Sequence, residues 1–181
     1  TVSELAGPVE FEVRTLGNVT LPAEDPDAML AYHKELMDLS KSANSARSAY
    51  NELNERLDYY KAAMKTVGNP ASLGEKITEM EEDLEEIRII MFGDRIAGQL
   101  EMPQSPSLSS RINTAIGSGL SSTSDPTQTS RQVKAIAEKE LKPVLQSLRD
   151  IMERQVPAID DQLNELDAPW TPGRIIELDE G

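Results

Sequence analysis

The side chains with the most chemical capacity in this chain form an acidic run: Glu79, Glu81, Glu82, Asp83, Glu85 and Glu86. Glu82 and Glu86, four apart, would sit side by side on one helix face, where a carboxylate pair could hold a cation or serve in acid–base hydrolysis. Glycosidic hydrolysis needs two carboxyl groups across a cleft, and neighbours on one helix face do not make a cleft. A solvated or ion-paired outer face is therefore the better reading of the run. The sole histidine, His33, has no cysteine and no HExxH-type partner, and reads as a boundary residue, not a metal ligand or a base. The stretch GSGLSSTSDPT (117–127) is rich enough in Gly, Ser and Thr to cradle an oxyanion, yet it lacks the GK[ST] ending of a phosphate loop. It reads as a flexible connection. On these grounds no catalytic residue, metal site or cofactor is assigned.

Two residues stand out as contact groups instead. Trp170 is the only tryptophan and lies in an irregular tail beside Pro169 and Pro172. Its first reading is a plug that clamps the tail onto the helices. Its second is docking against a missing domain of the same protein, with Arg174 as a polar anchor. Trp170 and Arg174 are the candidate partner-contact residues.

These groups must be positioned by helices. From Met29 to Val67 an apolar or small residue falls at every alternating step of three and four: Met29, Tyr32, Leu36, Leu39, Ala43, Ala46, Tyr50, Leu53, Leu57, Tyr60, Met64, Val67. That is the seam of a coiled-coil-like helix, whose knobs need a facing helix to receive them. Asp25 suits the cap, Pro26 the first helical position, and Gly68 the left-handed stop before Pro70. A second helix opens on Ser72-Leu73-Gly74-Glu75, which matches a capping box, and runs along Leu73, Ile77, Met80, Leu84, Ile87 and Met91 to Gly93. Residues 94–106, with Pro103 and Pro106, read as a linker, and 107–117 as a short helix with Leu108, Ile112 and Ile116 on one side. A last helix is expected from Asp125-Pro126 to about Leu166, on the stripe Val133, Ile136, Leu141, Val144, Leu148, Ile151, Met152, Val156, Ile159, Leu163, Leu166. Pro143 and Pro157 should each bend it.

The first and last helices match in length and the second is half as long. The fold expected is all-α: an elongated three-column antiparallel helical bundle, with the second and short helices sharing the return column. Seven acids at 75–88 and six bases at 131–154 suggest that charge pairs the second helix with the last. Residues 9–14, VEFEVR, alternate Val9, Phe11 and Val13 with Glu10, Glu12 and Arg14, a half-buried strand pattern. A lone strand is unstable in water, so it either lies on the helices or ends a domain upstream, and the second reading is preferred. The organisation is a strand segment and linker at 1–24, the bundle at 25–167 and an irregular tail at 168–181.

Composition narrows the partners. Acidic side chains outnumber basic ones 32 to 18, a net charge of -14, which opposes binding to nucleic acid and to anionic membrane surfaces. Cysteine is absent, which excludes disulfides and leaves the redox compartment open. No run approaches the roughly 18 apolar residues of a membrane span, and TVSELAGP lacks the basic and apolar regions of a signal peptide.

The second half carries more specific stretches. ITEMEEDLEEIRIIMFGD, RINTAIG, STSDPTQTSRQVKAIAEKELKPVLQSLRDI and VPAIDDQLNELDAPWTPGR, above all SDPTQTSRQ, Lys142-Pro143-Val144 and APWTPGR, resemble the C-terminal helical region of large bacterial secreted proteins that carry a sortilin-like, BNR-repeat β-propeller and are often labelled glycosyl hydrolases. The resemblance covers about Val9 to Arg174. It implies a β-sandwich module before the helices, whose final strand would be PVEFEVR, and export to the periplasm, cell surface or medium. It implies an accessory role, since any hydrolytic centre would lie in the propeller. Asn18-Val19-Thr20 matches a glycosylation sequon, which in a bacterial protein reads as chance. The function expected is a non-catalytic structural or interaction module, with the upstream domains of the same polypeptide, another protein or a second copy as partner. A periplasmic or surface adaptor bundle is the alternative, and a carboxylate-based hydrolase comes last.

Overall fold

The computed structural model describes residues 7–14, 16–18 and 20–175. Readings that fall on residues 1–6, on Thr15, on Val19 of the sequon or on the tail beyond Ile175 lie outside them. Helix α1 spans Pro26–Thr66, 41 residues or about 60 Å. Asp25 caps it, its Oδ1 accepting from the amides of Asp27 and Ala28 at 3.0 Å. At the far end Gly68 takes a φ of 82°, and the amide of Asn69 returns to the carbonyl of Met64. This is the left-handed closure that a glycine adopts without a Cβ penalty. Every seam residue of α1 is buried or half-buried.

Helix α2, Ala71–Phe92, returns alongside α1, and its whole expected stripe from Leu73 to Met91 is buried. The short helix α3, Arg95–Gln99, interrupts the expected linker and is capped by Asp94. Helix α4, Leu108–Leu120, continues the descent and buries Leu108, Ile112 and Ala115. The chain then climbs again through α5, Gln128–Asp150, a π-helical turn at Ile151–Gln155, and α6, Val156–Glu165. Helices α1, α2 and α4, and the α5–α6 rod touch one another throughout, so the architecture is the all-α three-column bundle. One continuous apolar core runs from Leu39 to Ala168, with a small satellite of Tyr32, Leu36 and Ala115 at the lower end. There Gly119 lets α4 approach α1, because a Cβ at that position would stand 2.2 Å from the Cδ1 of Leu36.

The π turn has a sequence cause. From Ala137 onward the buried positions of the last rod are Ala137, Leu141, Val144, Leu148, Ile151, Val156, Ile159 and Leu163. The steps are three and four except between Ile151 and Val156, where the step is five. One wide turn absorbs the extra residue, with the amide of Val156 bonding the carbonyl of Ile151. Pro157 explains its place: in a regular helix the ring would press on the carbonyl of Glu153, and a widened turn moves that carbonyl away. The stripe wrongly includes Met152, which a regular pitch would bury and the π turn turns out, Leu166, where α6 has ended, and Ile136, which is exposed while its smaller neighbour Ala137 is buried.

Four other expectations are corrected. Among the described residues there is no strand, and 9–14 is irregular and unpaired, with Val9, Phe11 and Val13 at least 80% exposed. The Ser72 capping box does not form. The turn at Gly68-Asn69 is so tight that the helix restarts at Ala71, which places Ser72 inside it, and the Ser72 hydroxyl accepts from Gln162 on α6. Helix α5 starts at Gln128 under a Thr127 cap, whose side chain accepts from the amide of Ser130, two residues later than the Asp125-Pro126 start expected. Asp125 instead accepts from the amide of Glu24 at 3.1 Å. Finally, no salt bridge among the described residues joins α2 to the last rod. Lys61 of α1 takes Glu81 at 2.6 Å, Lys134 of α5 takes Glu35 of α1 at 2.7 Å, and Arg111 of α4 takes Glu140 of α5 at 3.1 Å. Apolar burial pairs α2 with the last rod, supplemented by three polar contacts: Gln155 to Asp83, Lys76 to the carbonyl of Ala158, and Gln162 to Ser72.

Candidate functional site

Trp170 sits on a turn that begins at the end of α6. Asp167 takes a left-handed φ of 49°, its amide returns to the carbonyl of Asn164, and the amide of Ala168 returns to the carbonyl of Leu163 at 2.9 Å. These two bonds close the helix and turn the chain back across its end. Ala168 and Thr171 then point inward and are buried, while Trp170 between them points out.

Arg174 fixes this turn from beneath. It is only 6% exposed. Its Nε donates to Asn164 Oδ1 at 2.8 Å, one terminal nitrogen to the carbonyl of Pro169 at 2.8 Å, and the other to the carbonyl of Ala168 at 3.2 Å. A planar guanidinium is suited to this, since its donors lie in one fixed fork. The arginine thus satisfies loop carbonyls that α6 can no longer reach. Expected as a polar anchor for a partner, Arg174 is already saturated by its own chain. The sequence sign of this is the spacing of Arg174 from Asn164 and Ala168, which becomes visible only once the turn is known.

Trp170 remains 56% exposed and meets Tyr59 of α1 edge to face, with ring centroids 6.1 Å apart at 76°. So the tryptophan touches the bundle without being buried in it. The clamp expected of Trp170 is supplied by Arg174, Ala168 and Thr171. Tyr59 was missed because it lies off the α1 seam, next to the buried seam residue Tyr60. A tyrosine off the seam of so regular a helix is the signal that could have found it.

Below the turn lies a polar network. The Tyr60 hydroxyl donates to Asp160 at 2.7 Å, and Arg56 approaches Asp160 and Glu52 at 3.7 Å each. Burial, reinforced by the hydrogen bond to Asp160, pushes the Tyr60 phenol well above its ordinary range. Gly173, at a φ of 89°, lets the tail pass over Arg56, since a Cβ there would meet the guanidinium at 3.1 Å.

The acidic run behaves differently. It walls an open groove of about 610 Å³ between α1 and α2, with Tyr50, Asn54 and Lys61 opposite. Lys61 engages Glu81, and Arg88 grips Glu85 through two bonds of 2.6 and 2.7 Å, which lowers the Glu85 carboxyl. Glu82 and Glu86 are exposed on the same wall, not across from one another. Among the described residues no three acidic or histidine side chains converge as metal ligands would. His33 Nε2 donates to the carbonyl of Gly119, 3.0 Å away, and ties α1 to the end of α4. In the Ser/Thr stretch at 117–127 Ser122 pairs with Ser124, and Thr127 pairs with Ser130 in the first turn of α5. No helix among the described residues is long and apolar enough to cross a membrane.

Comparison with protein-family models, with curated proteins and with solved structures finds no match to this chain.

Proposed function

We propose that the chain is a non-catalytic structural and interaction module of a larger exported bacterial protein: a stiff helical rod joined to a neighbouring β-domain through its N-terminal arm. One observation carries this reading. Residues 9–14 alternate apolar and charged side chains as a strand does, and they are irregular and solvent-exposed in a chain that offers no strand to pair with among its described residues. An extended segment with this pattern gains stability only when a sheet satisfies its backbone and covers Val9, Phe11 and Val13. The arm's root, in contrast, is fixed to the rod: the amide of Ala23 donates to the carbonyl of Thr123 and that of Glu24 to Asp125. Export and the sortilin-like context rest on the motifs quoted from the second half of the chain. The test is proline substitution in the whole polypeptide. Glu12→Pro and Val13→Pro remove amides that point to opposite edges of a strand. At least one should lower the melting temperature of the neighbouring domain while the rod's transition stays put; no effect from either would refute the reading.

A second reading, an adaptor that binds a separate protein, is favoured by the Trp170–Tyr59 pair. A rigid, outward aromatic on a hydrogen-bonded turn is the type of group that anchors interfaces. Trp170→Ala would then abolish capture of that protein without altering the melting of the rod.

A further inference from the structure

The bundle is weakest at one level near its waist, and all three columns contribute to that weakness. The return column is broken there: α2 ends at Phe92, α4 begins at Leu108, and none of residues 93–107 between them is buried. Helix α1 crosses the level unbroken but brings little to pack. Between Leu39 and Leu53, about 20 Å of helix, its one buried residue is Ala46. Above and below that span α1 buries a side chain at every turn. The third column carries Pro143, whose missing amide leaves the carbonyl of Lys139 without its helical bond.

These features coincide in height. Ala43, Met91, Leu108 and Leu141 line one recess of about 50 Å³, and Ile90 and Pro143 line the neighbouring one between α2 and α5. A level with few buried side chains, a proline and an interrupted column is where a rod bends with least loss of contact.

One side chain spans the break. From α1, Arg47 lays its guanidinium over the Phe92 ring, 5.6 Å from the centroid, and donates to the Ser109 hydroxyl at 3.4 Å. It thereby holds the last residue of α2 and the first turn of α4 together. Tyr50, one turn on, meets the same ring edge to face with centroids 5.6 Å apart. Phe92 is itself 39% exposed, so these two contacts fix the ring from outside the core. Within the excursion the amide of Asp94 bonds Gln104, which ties residues 93–107 to themselves and not across the break.

We infer that this level is a hinge held shut by Arg47 and Phe92. Opening the clasp lets the lower half, with the arm's root at Ala23 and Thr123, swing against the upper half, with the Trp170 turn. Stiffness then belongs to each half, and the hinge sets the angle between the two ends of the rod. The inference goes beyond the module reading and does not depend on how residues 9–14 are used.

Spin labels on the full chain test it. Glu79→Cys on α2 with Thr114→Cys on α4 straddles the waist, and Glu75→Cys with Arg149→Cys, both above it, is the reference pair; all four sites are exposed. Pulsed electron resonance gives a distance distribution for each. Arg47→Ala with Phe92→Ala removes the clasp without touching a buried side chain. It should broaden the straddling distribution at least about twofold and leave the reference unchanged. Lys61→Ala removes an ion pair between the same two helices above the waist and should broaden neither. A straddling distribution as narrow without the clasp as with it would overturn the hinge. So would equal broadening of both pairs, or the same broadening from Lys61→Ala.

Discussion

If the π turn exists because one residue too many separates Ile151 from Val156, then removing one residue there should restore the ordinary seam. Glu153 is exposed within the turn, and its deletion changes the step from five to four. Val156, Ile159 and Leu163 would keep their places against α1 and α2. Pro157 then becomes the difficulty, because a proline inside a regular helix costs about 3 kcal/mol or more. The deletion alone should therefore destabilise by roughly that amount, and the deletion combined with Pro157→Ala should come within about 1 kcal/mol of the parent. A control deletion of the exposed Gln146 rotates the following residues by about 100° before the π turn can absorb the slip. Leu148 and Ile151, both buried, would leave the core at about 1.5–3 kcal/mol each. That predicts a loss of about 3–6 kcal/mol. Urea unfolding followed by far-ultraviolet circular dichroism measures all three. If deleting Glu153 with Pro157→Ala costs as much as deleting Gln146, the register argument is wrong.

Other outcomes follow from particular contacts. Leu84→Ala and Leu148→Ala, both core residues at 2% exposure, should each cost about 2–5 kcal/mol in urea unfolding. Arg174→Ala strips the partners from the carbonyls of Ala168 and Pro169 and should cost about 1–3 kcal/mol, shift Trp170 fluorescence and raise protease sensitivity after Leu166, with Arg174→Lys recovering little. The Tyr60 phenol is raised in the folded state, so its contribution is complete below the ordinary tyrosine value near pH 10 and is lost as pH climbs above that towards the folded value. Thermal melts should therefore fall between about pH 10 and 12, at up to about 1.4 kcal/mol per pH unit for this group, and Tyr60→Phe should flatten that fall.

Much of the fold was legible because α1 and α2 repeat threes and fours without interruption, and burial follows that repeat. The three columns followed from helix lengths, which caps such as Asp25 and Gly68 delimit. What sequence could not show depended on neighbours in space. The five-residue step at Ile151 was masked by Met152, an apolar residue in the position that a regular pitch would bury. The pairing of charges failed because Lys61, Lys134 and Arg111 found acids on whichever column stood nearest. At the tail, the aromatic ring and the nearby cation suggested one contact surface. The structure turns Trp170 outward and Arg174 inward, since the end of α6 leaves carbonyls that only a guanidinium nearby could satisfy. The alternation at 9–14 finds no partner among the described residues, so its period alone did not yield a strand there.

Hydrogen exchange of the arm's amides tests the central claim most directly, comparing this chain alone with the whole polypeptide. The account predicts that amides in 9–14 exchange at free-peptide rates in the chain alone and at least about a hundredfold more slowly in the whole polypeptide, while the seam of α1 is equally protected in both. Equal and rapid exchange of the arm in both samples would contradict it.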